Sequence, residues 1–225
     1  MSSSAYILFY LAVAWCLLWT WKASRGWILP TILCCSGALH WLLVDSGFYR
    51  DTEAFPPPQL ALVAPMVLGL AVVIAIPGCW RWLANANMLA LTALHILRLP
   101  VELVLHDAYL HHLVPRSMTY SGHNFDILTG ISALFLAAWL VSRKPPGRNL
   151  LIGWNIAGLV LLGVVVFTAV FSIPSSIQRW AFDQPNVLVL GTPGILLPAM
   201  LVPAVLWAHV AALVKLLGKG GSEAV

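Results

Sequence analysis

The chain has 225 residues, of which 60% are hydrophobic and only 9% charged, with a formal net charge of +4. A typical soluble domain carries about 25% charged residues, so a water-facing globular surface is excluded and lipid becomes the outer solvent. The weak positive balance falls at the ends of the apolar segments, which argues for topology and lipid contact and against nucleic acid as a partner.

A spanning helix takes about 20 mostly apolar residues. Stretches meeting that description run roughly from Ala5 to Trp21, Trp27 to Val44, Leu60 to Cys79, Leu83 to Leu110, Asn124 to Val141, Asn149 to Phe171 and Leu190 to Leu217. The expectation is an all-α integral membrane bundle of seven transmembrane helices forming one domain over residues 1–225. No basic residue precedes the first apolar run, and Lys22 and Arg25 follow it, the reverse of a cleavable signal peptide. With the N-terminus outside, Lys22, Arg25, Arg81, Arg143, Lys144, Arg148, Lys215 and Lys219 fall on the inner side, against Arg50, Arg116 and Arg179 outside. That bias sets the N-terminus out and the C-terminus in, in the cytoplasmic (inner) membrane. Trp19, Trp21, Trp27, Trp80, Trp82, Trp139 and Trp154 fall near the same inner interface, as an aromatic belt does. The four cysteines all lie inside apolar stretches without a C-x-x-C pair, so they read as packing residues.

Several segments carry proline, and the seventh has three spaced five apart, Pro193, Pro198 and Pro203, which predicts a bend. No internal repeat of the kind that builds duplicated carriers is visible.

The fourth segment concentrates the chemistry. In H-I-L-R-L-P-V-E-L-V-L-H-D-A-Y, helical spacing places His95, Arg98, Glu102, His106 and Tyr109 within an arc of about 80°. Ionised groups at bilayer depth are costly and turn to the bundle interior. The i, i+4 spacing makes Arg98 and Glu102 mutual partners. One reading is a structural ion pair; the other is a polar cavity open to the outer face, with Glu102, His106 and Asp126 as acid–base groups. Arg98, His95, Tyr109, Asn124 and Asn186 would then hold the substrate.

The following loop carries His111, His112 and His123, which with His106, Asp107 and Asp126 make a nitrogen and oxygen set suited to zinc or iron. Asn124 and Asp126 also suit the N-terminus of a helix. His40, near Asp45, could reach the same cavity, while His209 and Asn155 fit hydrogen bonds between helices. The outer loop after Ser172 holds Ile177, Arg179, Trp180, Phe182 and Asp183, a composition for an interfacial segment over the bundle mouth.

The runs R-L-P-V-E-L-V-L (98–105), M-T-Y-S-G-H-N-F-D-I-L-T-G (118–130), D-Q-P-N (183–186) and L-P-A-M-L-V-P-A-V-L-W-A-H (197–209) resemble a family of bacterial multi-pass membrane proteins of uncharacterised function. The resemblance spans about residues 45–217. Where that family reads E-G-R-N-F-D-I, this chain has Ser121 and His123. The resemblance implies that Arg98, Glu102, Asn124, Asp126, Asn186 and His209 belong to the shared motifs, and it carries no function.

Three functions fit these residues. A membrane-embedded enzyme would act on a lipid-like or otherwise apolar substrate, because no soluble domain exists to collect a polar one. A small proton-coupled permease would use the Arg98–Glu102 pair and a polar thread through His95 and His209. An accessory or sensor subunit would dock a partner helix on the polar face. Membrane lipids are the expected surroundings in all three, and the oligomeric state is left open.

Overall fold

The computed structural model describes residues 1–122 and 124–218. Among them all regular structure is helical: α1 (Ser3–Ser24), α2 (Ile28–Asp45), α3 (Ala64–Ala75), α4 (Pro77–Ala84), α5 (Met88–Leu94), α6 (Arg98–Leu110), α7 (Ile127–Leu140), α8 (Arg148–Phe171) and α9 (Val202–Leu217), with short 3₁₀ and π turns between them. Six helical stretches among the described residues are long and apolar enough to cross a membrane, and α7 is a shorter apolar helix. Their outward faces carry large exposed aliphatic and aromatic side chains, such as Ile7, Leu42, Leu68, Phe135 and Val160.

Two stretches form the centre. In Met88–Leu110, 67% of the apolar window is buried, and in Leu197–Leu217, 61%. Alanines make this possible: Ala90, Ala93 and Ala108 on one stretch and Ala204, Ala208, Ala211 and Ala212 on the other are buried, and small side chains let helix backbones approach in lipid. α1 packs along α5 and α6, α7 crosses α5 and α6, and α9 lies against α3, α4, α5 and α8.

Proline and capping residues set several boundaries differently from the hydropathy pattern. The third apolar stretch ends at Ala75, because Ile76 is extended before Pro77 and Pro77 starts a new helix, α4. The fourth begins at Met88, where the Asn87 side chain accepts the Ala90 N–H at 2.9 Å. It is divided by a 3₁₀ turn at His95–Leu97. Pro100 supplies no N–H to the carbonyl of Ile96, which is the physical reason for tightening there. Trp15 of α1 donates to the Ala93 carbonyl just before that turn, at 2.9 Å.

The fifth stretch is shorter than hydropathy suggests. Residues 119–122 form a bend and a turn, Asn124 and Phe125 lie outside any helix, and α7 starts only at Ile127 and has 14 residues, about 21 Å against the ~30 Å of a bilayer core. The last stretch is broken as its prolines predict, with a π turn at Leu197–Leu201 ahead of α9. Pro203 brings no donor to the Ala199 carbonyl, and the Ser36 hydroxyl of α2 supplies one at 2.9 Å.

The two ends of the bundle differ in charge. At one end Asn87 N–H donates to the Ala23 carbonyl, Lys215 to Ala84 and Arg148 to Leu216. This end gathers Lys22, Arg25, Arg81, Arg143, Lys144, Arg148 and Lys215, with Trp21 stacked on Trp27. At the opposite end the Ser2 N–H donates to Asp107, Ser176 to the Ala54 carbonyl and Val187 N–H to the Leu113 carbonyl.

Candidate functional site

The buried polar groups meet on the inner side of α6, in the half of the bundle toward the end that holds Asp107 and Ser172. Arg98 and Glu102 are 2% and 1% exposed, and the helical spacing that suggested a mutual pair is not how they are used. The Arg98 guanidinium donates through Nη1 to Oδ1 of Asp126, forming a buried ion pair across to the start of α7. Its Nη2 faces His209 Nε2 at 3.1 Å. Glu102 instead accepts from Asn124 Nδ2 at 2.5 Å. The expected Arg98–Glu102 pair is therefore corrected to Arg98–Asp126. A carboxylate presented from the facing chain meets the guanidinium without bending α6, and the i, i+4 neighbour is drawn to the amide beside it.

Asn124 is the hinge of this arrangement. Its Nδ2 also donates to the Met118 carbonyl at 3.0 Å, while its Oδ1 accepts the Asp126 N–H at 2.9 Å. One side chain thus closes the turn that presents Asp126 and holds one oxygen of Glu102. Gly130, one turn along α7, permits the approach: a Cβ there would lie 3.0 Å from the Leu99 nitrogen.

On the other side of Arg98 a polar line runs through the bundle. Arginine donates only, so His209 Nε2 must accept, which puts the ring proton on Nδ1. His209 Nδ1 lies 2.9 Å from Asn155 Oδ1 and donates to it, and Asn155 Nδ2 donates to the Leu151 carbonyl at 2.8 Å. His95 stacks on His209 with ring centroids 3.9 Å apart, and Trp154 packs edge-on to His95 at 5.3 Å. Gly158 on α8 makes room for this ring, since a Cβ there would collide with His209 Cε1.

Arg98, Glu102 and Asp126, together with Asn186, line a cavity of about 100 Å³ whose remaining wall is aliphatic. Leu62, Val63 and Met66 of the α3 side and Leu162, Val166 and Ala169 of α8 form its flanks. α3 and α8 each rest on α9, so the cavity is a crevice between two apolar helices. Arg98 Nε, Glu102 Oε2 and Asn186 Oδ1 are buried and have no hydrogen-bond partner among the described residues.

The remaining residues singled out from sequence are placed elsewhere. His106 lies against Tyr120, with ring centroids 4.7 Å apart, outside the crevice lining. Tyr109 lines a separate, more polar groove at the same end of the bundle, with Arg116, Phe167, Trp180 and Gln184. His95 is wholly buried in the line behind Arg98. His111 Nδ1 is 2.8 Å from the Asp107 carbonyl, and His112 Nδ1 is 3.1 Å from Gln184 Oε1, both exposed. His123 lies outside the described residues. Among the described residues no three His, Cys, Asp or Glu side chains gather into a metal-holding group.

His40 of α2 faces Tyr49 of the following 3₁₀ turn at 3.3 Å and does not line the crevice. Beyond Ser172 the loop packs Trp180 on Phe167 and Phe171 and ends at Asn186, wholly buried, whose N–H donates to the Ser172 carbonyl at 2.9 Å. The aliphatic flanks of the crevice went unread in the sequence, since Met66 and Val166 look like any lipid-facing residues.

Residues 56–217 match the family described as Domain of unknown function (DUF8737), and the chain belongs to that family. Comparison with curated proteins and with solved structures gave no match.

Proposed function

We propose that this protein is a membrane-embedded enzyme that receives an apolar, lipid-like substrate through the crevice between α3 and α8. The observation that carries the reading is the meeting of an apolar crevice with a buried polar floor made of the Arg98–Asp126 ion pair and Glu102. Burying charges at this depth is costly, and a structural lock would have no use for an apolar cavity beside it. In this reading Glu102 moves the proton at its free Oε2, Asn124 orients its other oxygen, and Asp126 and His209 fix the plane of the Arg98 guanidinium. The chain crosses the inner membrane seven times, with α7 as the short crossing. The N-terminus is outside and the crevice lies in the outer half, as the basic residues gathered at the opposite end support.

The test is a comparison of membrane lipids from cells making the wild-type protein, the Glu102→Gln variant or neither. One apolar lipid species should change with the wild type and remain unchanged with Glu102→Gln, while the variant accumulates and purifies as the wild type does. Identical lipid profiles in all three would remove the enzyme.

A second reading has its own support. The line from Arg98 through His209 to Asn155 continues the polar path beyond the crevice, as a proton-coupled permease requires. In that case Glu102→Gln would leave lipid composition alone and abolish pH-dependent uptake.

A further inference from the structure

The crevice carries a hydrogen-bonding pattern that selects among apolar molecules. Three buried polar atoms on side chains lining it lack a partner among the described residues: a donor, Arg98 Nε, an acceptor, Asn186 Oδ1, and Glu102 Oε2, which accepts as a carboxylate and donates when it carries the proton. The Asn186 assignment follows from its Nδ2, which is turned to the Ala169 carbonyl at 3.4 Å. Native interiors leave few such groups unmet, and three on one cavity call for a ligand or water of matching polarity.

Each common head group can be set against that pattern. A carboxylate would accept from Arg98 but bring no donor to Asn186 Oδ1, and it would add negative charge where Asp126 already answers the guanidinium. An ammonium would serve Asn186 Oδ1 while standing against the charge of Arg98. An alkane would leave all three unmet. A hydroxyl fits both kinds at once: its oxygen accepts from Arg98 Nε and its proton goes to Glu102 Oε2 or Asn186 Oδ1. The remaining wall is aliphatic, from Leu62 and Met66 across to Leu162 and Val166.

We infer that the crevice binds a long-chain alcohol, hydroxyl on the Arg98–Glu102–Asn186 floor and hydrocarbon between α3 and α8. This rests on the reading of the crevice as the substrate site and names the substrate class. The same hydroxyl chemistry is offered by a single-chain membrane alcohol and by the free hydroxyl of a diacylglycerol.

The experiment uses the full chain in lipid nanodiscs with photoreactive probes: a primary long-chain alcohol bearing a diazirine in its tail, and the matched acid, amine, alkane and diacylglycerol. After irradiation, labelled peptides are read by mass spectrometry. The alcohol should label peptides containing Met66 and Val166 about tenfold more than the alkane or better, the worth of roughly one hydrogen bond to a charged group such as the Arg98 guanidinium. The acid and amine should not exceed the alkane. Stronger labelling by the diacylglycerol would assign the hydroxyl to a glycerolipid; stronger labelling by the alcohol would assign it to a single chain.

Asn186→Leu should cut the preference for alcohol over alkane. Val166→Trp should block labelling by every probe while leaving the polar floor intact. Leu162→Phe, on the same wall, replaces it if the tryptophan variant is not monodisperse. Equal labelling by alcohol and alkane (water alone on the floor), preference for acid or amine, or labelling indifferent to these substitutions would overturn the inference. Binding is read here without turnover, so the two readings fail separately. Selective labelling without Glu102-dependent lipid conversion removes the enzyme and keeps the site; conversion without alcohol selectivity does the reverse.

Discussion

Arg98 shows how one side chain can tie a bundle together, because its guanidinium reaches α7 through Asp126 and α9 through His209 from a position on α6. Removing one partner of a buried pair leaves the other charge uncompensated, typically at about 3–5 kcal/mol. Arg98→Met should therefore destabilise the protein by that order, measured by chemical unfolding in detergent. The double variant Arg98→Met/Asp126→Leu should recover much of the loss; equal damage from single and double variants would mean that the pair does not hold the fold. Gly158 offers a finer test. A methyl there collides with His209, and overpacking of this kind costs about 1–3 kcal/mol, so Gly158→Ala should lower thermal stability. Gly163, one and a half turns along α8, has open space where its Cβ would be. Gly163→Ala should be neutral or slightly stabilising, because glycine inside a helix costs about 0.5–1 kcal/mol relative to alanine.

Helices here are cut where the backbone loses a donor and repaired by side chains from their neighbours. Ser36 serves the Ala199 carbonyl that Pro203 cannot, and Trp15 serves the Ala93 carbonyl ahead of the 3₁₀ turn. The Asn87 cap starts the central span at Met88, so Asn87→Ala should lower stability by about 1 kcal/mol, read by the same unfolding assay. Shortening of α7 has a different cause. Asn124 and Asp126 lie in an apolar-flanked run that hydropathy joins to the helix, but their side chains are spent on Glu102, Met118 and Arg98. The element gives up its first turn so that a carboxylate can face the guanidinium.

At the scale of the whole molecule, the charge asymmetry between the two ends predicts orientation. In a cysteine-free background, Ser176→Cys should react with a membrane-impermeant maleimide added to intact cells, and Lys144→Cys should react only after the membrane is opened. The opposite pattern would invert the topology and put the crevice in the inner half. The central pair of stretches, Met88–Leu110 and Leu197–Leu217, brings motifs 98–126, 186 and 209 to one point although they are far apart in the chain.

Membrane residence, the helical class, the broken last segment and the candidate groups Arg98, Glu102, Asn124 and Asp126 were legible in the sequence. Lipid imposes composition, periodicity and proline rules that act locally, residue by residue. Partner choice was not legible. Spacing on one helix pointed Arg98 to Glu102, whereas the pair it makes depends on where α7 begins relative to α6, a contact across 28 positions of sequence. The crevice was equally hidden, because Met66 and Val166 are indistinguishable by type from residues that face lipid. Only the tertiary structure, by resting α3 and α8 separately on α9, decided that a gap lies between them and that the polar floor lies beneath it.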